Sequence, residues 1–202
     1  VSQVKIGLKG YGLTVFKGTK IEQFQFEVLG VLKKVNTGKD LILVKLSGGP
    51  ITERGANIIQ GMSGSPCYIN GKMVGAVAYG NNYPKEPIGM LTPIEDMLES
   101  LDPNLPSKPS SISTGASAEI APVTINGATY NRLEIKNPSW NGTPPNGTLI
   151  MKPLMTPMMV SGMNARGIAK LAEILEPLGI SVMASPGGKP DPTMQSPPMT
   201  PG

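Results

Sequence analysis

Gly61-Met62-Ser63-Gly64-Ser65-Pro66 runs directly into Cys67-Tyr68-Ile69-Asn70-Gly71-Lys72-Met73-Val74-Gly75-Ala76-Val77, and this stretch decides how the chain reads. Asn70-Gly71 between two apolar runs is a strong hairpin signal, because both residue types tolerate the positive φ of a two-residue turn. Cys67 to Ile69 and Met73 to Tyr79 are therefore expected to pair as strands. The six residues before them have a different purpose. Small residues around a serine, closed by a proline, fold a backbone tightly enough to push a hydroxyl outward. Glycines there also let amide N–H groups converge on one point. That is the build of a serine nucleophile (Ser63) with its oxyanion hole. A serine hydroxyl attacks poorly until a base takes its proton, and the usual base is histidine. The 202 residues contain none.

Outward from this stretch, the N-terminal half reads as strands. Val4 to Leu8 and Tyr11 to Phe16 are short apolar runs separated by Lys9-Gly10. Phe24, Phe26 and Val28 alternate with Gln25 and Glu27, the period of a half-buried strand. Val31 and Leu32 continue it past Gly30, a candidate bulge or barrel bend. Thr37-Gly38-Lys39-Asp40 reads as a turn, and Asp40 to Leu46 as a buried strand. Strands of this length and spacing, with no helix between them, predict a mainly β fold built on a small closed barrel. Thr92 can N-cap a helix with Pro93 in its first position and Glu95 closing a capping box. Ile94, Met97, Leu98 and Leu101 then share one face, which would lid an apolar surface.

These signals divide the chain into a barrel domain over 1–103, a Pro/Ser-rich linker over 104–111, a smaller α+β segment over 112–184 and a disordered tail over 185–202. In the α+β segment, Ala118 to Ile125 and Thr129 to Ile135 flank Asn126-Gly127 as a second hairpin. Asn137 to Gly147 is a loop carrying Trp140, and Thr148 to Met151 a short strand. Asn164 to Leu178 has helical spacing, with Gly179 as its stop, and Ile180 to Met183 is a strand. Met151, Met155, Met158, Met159 and Met163 could form a metal or partner surface, but flexible core filler is the commoner use of methionine.

Composition narrows the function further. The net charge of +4 comes from scattered lysines, and aromatic content is 4%, so no nucleic-acid groove is expected. The single cysteine, Cys67, can form no internal disulfide and heads an apolar run, which suits a buried strand position better than a reactive thiol. No stretch reaches the ~20 apolar residues of a membrane span. No cofactor and no metal site is expected. The start at Val1 and the Pro-rich end predict a piece cut from a longer precursor.

With Gly49-Pro50, the serine loop and the Asn70 to Val77 hairpin in place, the chain resembles the SpoIVB peptidase family, the stage IV sporulation serine peptidases of the trypsin-like class. The resemblance runs over Lys5 to Leu101 and takes in Gly10 to Phe16 and Thr92 to Glu95. Lys152 to Pro157 and Val160 to Gly162 resemble the continuation in multidomain relatives. The resemblance implies a trypsin-like barrel with a capping helix. It implies Ser63 as nucleophile and the amides of Gly61 and Ser63 as oxyanion hole, supported by Met62, Gly64, Ser65 and Pro66. Ser65 stands where trypsin-like enzymes usually carry glycine. The family's acid belongs near Ser47-Gly48-Gly49, where there is no carboxylate. Its histidine belongs to a Gly-His segment with no counterpart here; in longer relatives such a segment follows the region matching the tail. The resemblance also implies a bacterial protein in an extracytoplasmic setting, with a peptide or protein partner.

Three functional readings follow. In the first, the chain is the serine-bearing half of a peptidase, inactive until a segment supplies the base. It can equally be a pseudoenzyme that captures peptides by strand addition at a barrel edge, which needs no base. A serine–lysine dyad would need a buried lysine of lowered pKa beside Ser63, whereas Lys72 sits at a hairpin tip. Asp40, Glu53 and Asp96 can each be nominated as the acid. Each also has an ordinary role, as turn residue, exposed loop charge and helix first-turn charge. The plainest alternative is a tight turn that fills a barrel corner.

Overall fold

The alternation along β1 (Lys9–Val15) shows why a barrel forms from so few aromatic residues. Its inward positions are Gly10, Gly12 and Thr14. A Cβ on Gly10 would lie 2.4 Å from the Phe26 ring, and one on Gly12 would lie 2.1 Å from the Phe24 ring. Two phenylalanines thus fill the barrel in space that β1 leaves empty. The computed structural model describes residues 1, 3–36, 38–53, 55, 58–81, 86–99, 101 and 115–185.

β2 (Ile21–Asn36) and β3 (Lys39–Ser47) follow, then a short helix, α1 (Gly49–Glu53). β4 (Pro66–Ile69), β5 (Lys72–Gly80), β6 (Ile88–Pro93) and α2 (Ile94–Glu99) complete the first half. Pairing runs β1–β2–β3–β6–β5–β4 and returns to β1, every neighbour antiparallel. This closed six-stranded barrel with a short helix is the mainly β, trypsin-like architecture expected from the sequence. Closure rests on Tyr11 opposite Tyr68, whose rings stack 5.2 Å apart, and on Gly12 opposite Cys67. The β4–β5 turn places Asn70 and Gly71 at φ of 50° and 74°, as the hairpin signal requires.

Two apolar clusters use opposite faces of the same strands. Inside the barrel lie Phe24, Phe26, Val28, Ile42, Val44, Leu46, Cys67, Val77 and Leu91, with Ile51, Ile58 and Met62 beneath the connecting segments. Outside, Leu32, Leu41, Leu43, Tyr79, Ile88 and Met90 pack against Ile125, Leu133, Ile135, Leu149 and Met151. The continuous apolar run from Leu41 to Leu46 is thereby explained, since β3 is covered on both sides.

The outer cover is made by β7 (Ser117–Ile125), β8 (Ala128–Ile135) and β9 (Thr148–Pro153). β7 and β8 form the expected hairpin around Asn126 and Gly127, β8 and β9 are parallel, and β9 joins the sheet at β5. β10 (Thr156–Val160) and β11 (Ile180–Ala184) are parallel, connected by α3 (Ala165–Leu175) and a short 3-10 turn. The Asn164 side chain caps α3 by accepting from the Gly167 N–H at 2.8 Å, and Gly179 ends the turn at φ 81°.

Several expectations are corrected. Val4 to Leu8 is not a strand. The backbone turns at Gly7 (φ 82°); Gly7 N–H donates to the Val28 carbonyl and the Leu8 carbonyl accepts from Val28 N–H, each at 2.8 Å, while Val4 and Leu8 pack against the barrel core. β1 begins at Lys9, so Lys9-Gly10 is strand and not a break. The bulge expected at Gly30 is present, by contrast: Leu29 intervenes between the pairs Val28–Val44 and Gly30–Leu43. Pro93 ends β6 and does not open the helix. On α2, Ile94 and Met97 are half-buried while Leu98 is 57% exposed, so only part of the anticipated lid packs. α1 and β10 carried no sequence expectation. The methionines divide: Met151 and Met155 are buried, whereas Met159 and Met163 are exposed, so core filling describes only the first two. The linker and all of the tail after Ser185 lie outside the described residues.

Candidate functional site

The serine loop is anchored from below by Met62. Its side chain is fully buried beside Ile51 and Ile58, so the chain on either side must arch over it. Gly61 and Gly64 make that arch at φ of 95° and 82°, a region that a Cβ disfavours. Open space surrounds both positions. Glycine is therefore needed for conformation there, and not for room.

The amides of the loop fall into two sets. Met62 N–H donates to the Ile59 carbonyl at 3.1 Å, Gly64 N–H to Val77 at 2.8 Å and Ser65 N–H to Met62 at 3.0 Å. Among the described residues, the N–H groups of Gly61 and Ser63 have no acceptor. Ser63 is half-buried, and its hydroxyl makes no hydrogen bond among the described residues. Gly61 is exposed and Ser63 half-buried, so both N–H groups are open to water or to an outside acceptor.

Ser65 and Pro66 tie the loop to the barrel. Ser65 Oγ donates to Thr14 Oγ1 at 2.7 Å, and both residues are buried. The Ser65 carbonyl accepts from Val77 N–H at 3.0 Å, and Pro66 opens β4 opposite Ala76. Thr14 was not singled out in the sequence. Its signal was the period of β1: counting by two from Gly10 and Gly12 places a polar residue on the inward face, where it must find a partner. Cys67 is buried in β4, and burial pushes its thiol up to about 12, so it stays protonated.

The nominated acids do not join this group. Asp40 accepts from Lys33 Nζ at 2.7 Å and from the Lys34 N–H at 3.1 Å, and the Lys33 bond holds its carboxyl below the usual range. Glu53 is exposed at the end of α1. Asp96 sits in the first turn of α2 with Oδ2 buried and unpartnered, and burial raises its pKa. Lys72 is exposed at the first position of β5. Among the described residues, none of the four hydrogen-bonds to Ser63. Likewise among the described residues, no group of three or more Asp, Glu, Cys or His could hold a metal ion, and no helix is long and apolar enough to cross a membrane.

Residues 2–98 match the family model described as SpoIVB peptidase S55. No curated protein and no solved structure matches the chain.

Proposed function

Because residues 2–98 of this chain match the SpoIVB peptidase S55 family model, we propose that they carry the nucleophile half of a serine-peptidase site. Ser63 Oγ is the attacking oxygen, and the N–H groups of Gly61 and Ser63 are the oxyanion hole. The observation that carries this reading is the division of the loop amides, three used internally and two left for an outside acceptor. Donors fixed in place before the reaction stabilise the charge that develops on the substrate oxygen without reorganising.

Attack requires the Ser63 proton to leave. With no histidine in the sequence and no acid or lysine bonded to Ser63 among the described residues, these residues have no group to receive it. In this reading the isolated chain does not form an acyl-enzyme, and the base comes from a histidine-bearing segment outside these residues. The family supports an extracytoplasmic setting. A second reading, a peptide-binding scaffold that has lost catalysis, is supported by the strand already paired to β5 beside the serine loop.

A fluorophosphonate probe tests both. The chain should not be labelled at Ser63 in buffer alone, and added imidazole, acting as a diffusible base, should produce labelling that Ser63→Ala abolishes. Labelling without imidazole that depends on Ser63 would overturn the inactive reading and revive a lysine base. No labelling at any imidazole concentration would favour the scaffold.

A further inference from the structure

We propose that Lys152-Pro153-Leu154, the last two residues of β9 and the one that follows, is an internal occupant of the channel along which an extended peptide would reach Ser63, so that peptides bind here by displacing it. The proposal rests on the reading of the serine loop as a peptide site and adds what fills that site in the free chain.

The argument begins with the edges of β5. β6 covers one edge from Gly75 to Gly80. The other edge is shared end to end by two segments. The serine loop and β4 take it as far as Val77, through Gly64 N–H to Val77 O at 2.8 Å and Val77 N–H to Ser65 O at 3.0 Å. One residue on, the Ala78 carbonyl accepts from Leu154 N–H at 2.8 Å, and Tyr79 and Gly80 lie opposite Pro153 and Lys152. Ala78 is the extra residue of a bulge in the β5–β6 pairing, between Val77 and Tyr79. β9 runs antiparallel to β5, so from Lys152 to Leu154 it heads toward the serine loop, and the Leu154 carbonyl is the next group along that edge.

Three features mark this end of β9 as a docked peptide more than a sheet strand. Its pairing with β8 stops at Met151, so the backbone ladder of Lys152 and Pro153 is with β5 alone, while the Lys152 ammonium donates to the Trp140 carbonyl. It meets β5 at only two registers, Tyr79 and Gly80, a short ladder that can open. Finally, Leu154 leaves the core of its own strand. Leu149 and Met151 pack in the outer cluster, whereas Leu154 packs against the barrel cluster that holds Met62. Its seat is formed by Gly80 and Ile58: a Cβ on Gly80 would lie 3.2 Å from Leu154 Cδ2 and 3.3 Å from Ile58. The seat takes an aliphatic side chain. Pro153 has no N–H to offer, which suits a position between two docked residues. The ligand class is thus an extended peptide with an aliphatic residue in the Leu154 position, added as a strand.

The test is a labelled Lys-Pro-Leu-Met peptide titrated by fluorescence anisotropy into the unaltered chain and into Leu154→Asp. A site occupied nine-tenths of the time by its own strand shows about tenfold weakened apparent affinity, so the variant should bind at least that much more tightly. Equal affinity in both, or no binding to a variant that circular dichroism shows folded, would overturn the proposal. Should Leu154→Asp not fold, hydrogen exchange on the unaltered chain decides. Saturating peptide should deprotect the Leu154 amide, and unchanged protection would overturn the proposal. Because binding needs no Ser63 chemistry, repeating the titration in Ser63→Ala separates the outcomes. Competition that persists in Ser63→Ala, while imidazole fails to produce labelling of the unaltered chain, leaves this proposal standing and removes the catalytic one. Labelling with imidazole but no competition does the reverse.

Discussion

Gly10 and Gly12 of β1 and Gly61 and Gly64 of the serine loop are the same residue used for opposite reasons. The β1 pair has ordinary strand geometry but no room, since a Cβ would strike Phe26 and Phe24. The loop pair has room on every side but a φ that side chains resist. The first pair builds the core. The second aims a backbone, and its removal should disturb the site far more than the fold.

The comparison is broken most severely at Gly12. Gly12→Val should cost ~3 kcal/mol or more, because β1 must move away from the Phe24 ring to accept it; urea unfolding measures the loss. Opposite Gly12 lies Cys67, and high pH sharpens the same region. Its thiol, ordinarily titrating at 9.0, is pushed up to about 12 by burial in the folded protein. Below pH 9 the buried thiol is neutral in both states and nothing is lost. As pH rises past 9, only the unfolded chain releases the proton, so stability falls until the folded thiol ionises as well. At a pH of about 10.5 the loss should be roughly 2 kcal/mol, and Cys67→Ala should flatten that slope. Where the two regions meet, Ser65→Ala leaves the Thr14 hydroxyl buried without its partner, at a cost of about 1.5 kcal/mol. Adding Thr14→Val should cost less than the sum of the two single changes, which a double-mutant cycle would show.

The loop itself should respond less. Gly64→Ala has nothing to strike and should cost about 1 kcal/mol for its φ alone, with a larger effect on imidazole-dependent labelling of Ser63. Ser63→Ala should change stability by less than about 0.5 kcal/mol, because its hydroxyl holds nothing together. A larger loss would mean that Ser63 is a structural residue.

The barrel was legible because its signals are local. The Asn-Gly turns, the alternation around Phe24 to Val28 and the apolar run after Asp40 each specify a strand without reference to distant residues. The tight turn of Gly61 to Pro66 was legible for the same reason, since the stretch is contiguous. What the sequence hid depends on meetings across the chain. Thr14 and Ser65 lie far apart and meet only when β1 and β4 close the barrel. Val4 to Leu8 has the composition of a strand, but Gly7 turns it onto the barrel end. Leu154 looks like one more apolar residue after β9 until β5 gives it a partner. Asp40 and Asp96 could be nominated as acids only while their surroundings were unknown. The Lys33 bond accounts for the first and the α2 first turn places the second.

In the proposed site the Gly61 and Ser63 amides, which have no acceptor among the described residues, receive the substrate oxygen. Amide hydrogen exchange across the loop, followed residue by residue by NMR, measures this directly. Gly64 and Ser65, bonded to Val77 and Met62, should be protected, while Gly61 and Ser63 should exchange orders of magnitude faster. Protection of Gly61 and Ser63 equal to that of Gly64 and Ser65 would mean that the protein uses all of these donors itself, and the oxyanion-hole reading would be contradicted.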